Sequence, residues 1–133
     1  MTFKVFTKSP NYPQNTIKRA ARALFCSPFK LNLFTAMGAQ SIPLQNIAET
    51  TGIEKNYTKK AISENSVESY LMWLIKVGIL RREVDGQGLT DSFRLTPLGR
   101  QIVEKWQPQG DFPNPSWQDR ISNWLNRWLQ WSL

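Results

Sequence analysis

The chain contains no histidine and one cysteine, Cys26. Without these residues no Cys/His zinc set can be assembled, and no Ser/His or Cys/His nucleophile pair can form. The expectation is therefore no catalytic residue, no metal ligand, no cofactor and no enzymatic activity. A single cysteine cannot close an internal disulfide, which fits a reducing cytoplasm. Cys26 follows Ala23-Leu24-Phe25 in an apolar helical run, so it is expected to be a buried structural thiol rather than a redox sensor. No run of about 18 apolar residues is present to span a membrane. The N-terminal residues have no h-region, so no signal peptide is expected.

Acidic residues are also scarce at one end: none precedes Glu49. Lys4, Lys8, Lys18, Arg19, Arg22 and Lys30 give the first 48 residues a charge of +6, nearly all of the net +7 that 17 Lys and Arg make against 10 Asp and Glu. Such a surface suits polyanions, nucleic acid or an anionic membrane, and equally a merely solubilising role. At 133 residues and 41% hydrophobic residues, the chain has material for one core.

The stretch Ser63 to Leu80, SENSVESYLMWLIKVGIL, organises the rest. At about 100° per residue, Val67, Tyr70, Leu71, Leu74, Ile75, Val77 and Gly78 share one face. Glu68, Ser69, Met72 and Lys76 take the other, with Trp73 at its edge. The spacing predicts a helix buried on one side, ended by Gly78 and followed by a strand.

Residues 1–15 read as an extended basic arm, broken by Ser9-Pro10-Asn11-Tyr12-Pro13. Thr16 to Phe25 predicts a helix capped by Thr16. Pro28 to Met37 predicts a second, started by Ser27-Pro28 and stopped by Gly38. Ser41-Ile42-Pro43 is a short extended piece. Leu44 to Thr51 predicts a third helix, closed by Gly52, with Ile53 folding back onto the core. Ile79 to Val84 and Ser92 to Leu95 predict a hairpin around Asp85-Gly86-Gln87-Gly88. Thr96-Pro97 starts a helix through Leu98, Ile102, Val103 and Trp106. Residues 108–115 form a linker rich in Pro and polar residues. The last segment, 116–133, is an amphipathic helix with Trp117, Ile121, Trp124, Leu125, Trp128, Leu129 and Trp131 on one side. Asp119, Arg120, Asn123, Asn126, Arg127 and Gln130 lie on the other.

Residues Phe29 to Trp106 resemble the bacterial winged helix-turn-helix DNA-binding domains. The resemblance is carried by Leu31 to Met37, by Ile42 to Ile53, by Val67, Leu71, Leu74 and Gly78 to Leu80, and by Phe93 to Arg100. It departs from the family spacing by roughly nine added residues, Glu54 to Ile62, in the turn, and the spacing is regained when counted from Ile62. The resemblance implies a mostly α fold with a minor β component: a winged helix over 16–107 with a two-stranded wing, an extra N-terminal helix and the C-terminal Trp-rich helix.

The function it implies is DNA binding by a small transcriptional regulator, with the Ser63–Gly78 helix in the major groove of double-stranded DNA. Asn65, Ser66, Ser69 and Met72 would face base edges. Lys55, Lys59, Lys60, Lys76, Arg81, Arg82 and Arg94 would lie on or near phosphates. Glu64 and Glu68 on the same free face oppose this, since carboxylates cost affinity beside a phosphate backbone. The alternative is a winged-helix protein-interaction module using an exposed Met72 and Trp73 together with the Trp-rich tail. Small-molecule methyltransferases begin with comparable LFTAMG and RLTPLG stretches, but no Gly-rich cofactor loop is present here. A homodimer is expected. For the C-terminal helix, three destinations stay open: packing on its own domain or a second subunit, anchoring another protein, or lying in a membrane interface. The last is disfavoured because Arg120 and Arg127 are its only cations and Asp119 offsets them.

Overall fold

The computed structural model describes residues 11–84 and 91–132. Most of the arm (residues 1–10), the hairpin turn and the side chain of Trp131 lie outside the described residues. The fold is mostly helical with one small antiparallel sheet. Its order is α1 (Gln14–Phe25), α2 (Leu31–Ala39), β1 (Ile42–Pro43), a 3-10 turn (Leu44–Asn46), α3 (Glu49–Glu54), α4 (Glu64–Lys76), β2 (Leu80–Val84), β3 (Asp91–Leu95), α5 (Pro97–Trp106), a second 3-10 turn (Gln107–Gln109) and α6 (Trp117–Ser132).

α1 buries Ala20, Ala23 and Leu24, as its stripe predicts. It starts two residues before Thr16, which is not its cap: the Pro13 carbonyl accepts from Ile17 N at 3.1 Å. α2 starts at Leu31 rather than Pro28. Phe29 is instead extended and bridged to Thr58, and Lys30 N donates to Tyr57 O at 2.8 Å. Those contacts belong to the Glu54–Ile62 segment, so residues ahead of α4 fix where α2 starts. Gly38 does not stop α2; it lies inside the helix, which runs on to Ala39.

The predicted third helix is broken in two. Ala48 is extended, with φ −80° and ψ 157°, between the 3-10 turn and α3. Gly52 lies within α3 rather than beyond it. It is needed there for close approach, because a Cβ would sit 2.0 Å from Ile47 O. Ile53 does not reach the core and is 45% exposed, whereas Ile62 is buried and accepts from Glu49 N. The segment between them is a pair of turns with Asn56 in the left-handed region at φ 64°. Asn32 Nδ2 holds it by donating to the Lys55 and Asn56 carbonyls at 3.2 and 3.3 Å.

α4 follows the sequence closely. Ser63 caps it by accepting from Ser66 N at 3.3 Å. Val67, Leu71, Leu74 and Val77 are all at or below 1% exposure. Gly78, at φ +93°, ends it in the left-handed conformation that glycine adopts without a Cβ penalty. Trp73 departs from the expectation: it is buried, so the free face holds no exposed Trp73.

β3 is central in the order β1-β3-β2, with Ile42 opposite Phe93, Leu80 opposite Leu95, Arg81 opposite Arg94 and Arg82 opposite Phe93. Thr96 caps α5 by accepting from Gly99 N at 3.0 Å and donates to the Ile79 carbonyl, tying α5 to the strand entry. Phe112, in the linker, sits 5.8 Å from the rings of both Phe25 and Phe34. The linker is thereby fastened to the core, and it delivers α6 to the outside of α1.

Candidate functional site

α6 runs back along α1, with Gln118 beside Phe25 and Asn126 beside Asn15 and Arg19. It also reaches α4, where the buried Trp73 indole donates to Asn123 Oδ1 at 2.9 Å. Arg127 lies over the Tyr70 ring, 4.8 Å from its centroid, and donates to Ser69 Oγ. The helix therefore packs in cis through its polar residues. Its apolar residues point away: Trp117, Ile121, Trp124, Leu125, Trp128 and Leu129 are 44 to 69% exposed. Only Ile53 and Val84 join them as exposed large hydrophobic residues among the described residues. The helix thus lies on its own domain with its polar side against α1 and α4 and its apolar side outward.

What remains open on α4 is a strip bounded on both sides. Asn65, Glu68, Ser69 and Met72 line a groove with Arg82 on one wall and Arg127 on the other. Arg82 is positioned by its surroundings. Its guanidinium lies 3.7 Å from Asp91, 4.0 Å from Glu68, 3.3 Å from Met72 Sδ and 5.8 Å from the Phe93 ring centroid. The carboxylate of Glu68, which spoke against an anionic partner, thus has a cation beside it. Such exposed pairs contribute little stability and exchange partners readily.

The expected basic residues are divided by the fold. Strand register puts Arg82 with Phe93 and Leu80 on the sheet face towards α4, because side chains alternate along a strand. Arg81 and Arg94 are cross-strand neighbours on the other face. There Arg81 meets Glu83 at 3.1 Å, and Arg94 reaches the Ala39 carbonyl at 3.5 Å. They are not brought to the α4 strip. Lys55, Lys59 and Lys60 are exposed on the turns between α3 and α4, and Lys76 is exposed at the far end of α4. Lys59 faces a cavity shared with Cys26, Asp111 and Arg120 at the start of α6.

Arg127 is the residue that sequence reasoning missed. It belongs to the polar side of a helix far along the chain, and nothing local connects it with Ser69, 58 residues earlier. Asn123 was missed for the same reason.

Cys26 is half-buried rather than fully buried, and it is a free thiol. Burial raises its pKa, and the Asp119 carboxylate adds to the shift against the opposing fields of Arg120 and Arg22. Among the described residues no group of His, Cys, Asp and Glu is arranged to hold a metal ion. No helix among them is long and apolar enough to cross a membrane.

No curated protein and no solved structure matches the chain. A family model described as Npun_F0494-like matches residues 10–127, so the chain belongs to the Npun_F0494-like family.

Proposed function

We propose that the protein is a winged helix-turn-helix DNA-binding protein, a small transcriptional regulator that lays α4 in the major groove. The order α2, β1, α3, α4 and then the β2–β3 hairpin supports this reading. The observation that carries it is the α4 strip, where exposed polar side chains lie between two guanidinium groups. Asn65, Ser66, Ser69 and Met72 would meet base edges there. Arg82 and Arg127 border the strip, with Lys59 and Lys60 ahead of its start and Lys76 towards its far end, and these would meet phosphates. Arg81 and Arg94, on the far face of the hairpin, are assigned a lesser part. The alternative, an interaction module using Met72 and Trp73 together with the Trp-rich tail, loses Trp73, which is buried and donates to Asn123, and keeps the outward tryptophans of α6.

The test is a fluorescence anisotropy titration of the full chain with labelled random duplex at 50 and 200 mM salt. Each phosphate contact contributes about −0.9 to the slope of log K against log salt, so Lys59→Ala with Lys60→Ala should flatten it by about 2. Between those salt concentrations the wild-type protein should lose roughly tenfold more affinity than the double variant. If the wild-type chain shows no salt-sensitive binding at 50 mM, the reading falls. If the double variant keeps the full slope, those lysines do not touch phosphate.

A further inference from the structure

The outward face of α6 is a feature that the α4 strip leaves unused. An amphipathic helix held by its polar side, with its apolar side turned to solvent, inverts the ordinary packing arrangement. Six large apolar side chains form one ridge, and the rings of Trp124 and Trp128 stack 6.4 Å apart. Surface of this extent and continuity marks a contact site.

The charges beside the ridge select its occupant. Along one flank, α1 brings Lys18 and Arg22 into the seam with Gln118 and Ser122. Arg19 lines the same seam nearer Asn126, and its Nε is buried without a hydrogen-bond partner. On a helical wheel Arg120 follows the opposite flank, with Arg127 beyond it turned onto Tyr70 and Ser69. The carboxylate that offset them in the sequence is directed elsewhere. Asp119 accepts from Ser116 N at 3.2 Å while its own N–H donates to Ser116 Oγ at 3.1 Å, closing a capping box at the start of the helix. Asp119 lines the α1 seam beside Lys18 and Arg22, where one carboxylate leaves the flank cationic. The ridge is therefore a Trp-rich apolar strip with cations on both flanks. A second copy placed on it by a two-fold axis would set those cations against their own kind. An anionic lipid surface answers every part of it. Indole rings settle at the headgroup level, aliphatic side chains enter the acyl boundary, and flanking Lys and Arg meet the phosphates.

We propose that α6, together with the basic face of α1, is an interfacial docking surface for an anionic membrane. It lies on the bilayer and does not cross it. The proposal depends on α6 and α1 and is independent of what α4 reads, so DNA binding and vesicle binding can fail separately.

The test is flotation of the full chain with vesicles of equal parts phosphatidylglycerol and phosphatidylcholine, against pure phosphatidylcholine, with tryptophan emission followed in parallel. The chain should float with the anionic vesicles at low salt, shift its emission to the blue, and come off as salt rises. Trp124→Ser with Trp128→Ser should abolish flotation. Both positions are exposed, so the fold survives, which far-UV circular dichroism would verify. Lys18→Gln with Arg22→Gln should lower partitioning roughly 30-fold, at about fivefold per cation near an anionic surface. The proposal is overturned if the wild-type chain stays unbound, or if it binds neutral vesicles equally well. It is also overturned if sedimentation without lipid shows a dimer that Trp124→Ser with Trp128→Ser dissolves, because a second copy would then cover the ridge.

Discussion

Replacing Gly52 by alanine tests the packing of α3 directly, because two opposing effects differ in size. Alanine is favoured over glycine inside a helix by up to about 1 kcal/mol. Against that, the new Cβ would lie 2.0 Å from Ile47 O, 2.9 Å from the Ile47 carbonyl carbon and 2.8 Å from Thr58 Oγ1. The Ile47 carbonyl is backbone and cannot rotate away, so the 3-10 turn and α3 must separate by more than an ångström. Such overpacking costs about 1–3 kcal/mol, and more where backbone has to move. The shift also strains the two bonds that Gly52 O accepts, from Tyr57 N at 2.8 Å and Thr58 N at 3.2 Å. A net loss of about 2 kcal/mol or more is expected, a fall of roughly 8 °C in Tm for a domain of this size. Gly38→Ala is the matched control. It is also helical, but its Cβ would meet only Arg100 and Leu95 side chains at 3.5 and 3.6 Å, ordinary contact distances. It should hold wild-type stability or gain about 0.5 kcal/mol. Urea denaturation followed by far-UV circular dichroism measures both. If Gly52→Ala keeps the wild-type midpoint, or Gly38→Ala falls by as much, the close approach of α3 to Ile47 is wrong.

Asn123→Ala should leave the buried Trp73 N–H without its acceptor, at about 1–3 kcal/mol, and loosen α6. Asn123→Asp retains an acceptor and should hold the helix. Limited proteolysis across residues 107–116 distinguishes them, and equal cleavage of both variants would count against the tie. The Cys26 thiol, raised above its ordinary value of 9.0 by burial and then by Asp119, carries less thiolate at pH 8 than the same residue in the unfolded chain. Its alkylation by iodoacetamide should be slower in buffer than in urea, and equal rates would refute the shift. The linked stability is fully present below pH 9 and is lost above it, where the unfolded thiol ionises first.

The helix at the centre of the chain was legible because its determinants are local. The 3.6-residue spacing of Val67, Leu71 and Leu74 and Gly78 as terminator lie within one short stretch, and the structure adds Ser63 as its cap. Thr96-Pro97 is the same kind of signal, as is the β2–β3 pairing. The segment from Phe29 to Ile62 was read less well. Phe29 pairs with Thr58, Gly52 admits the Ile47 carbonyl, and Ile62 takes the core place expected of Ile53. Each of those is a contact between residues that periodicity does not relate.

The same division runs through the candidate sites. Charge, the absence of histidine and the amphipathic pattern of residues 117–131 follow from the residues alone, since composition and helical spacing need no partner. Which side of that last helix meets the domain is a tertiary matter. Trp73 offers a buried N–H that needs an acceptor, and Tyr70 a ring face that takes a guanidinium. Asn123 and Arg127 satisfy them, so the polar side turns inward and the tryptophans face out. The sequence alone established that the helix has two faces; the hydrogen-bonding needs of a helix 50 residues earlier decided which one is presented.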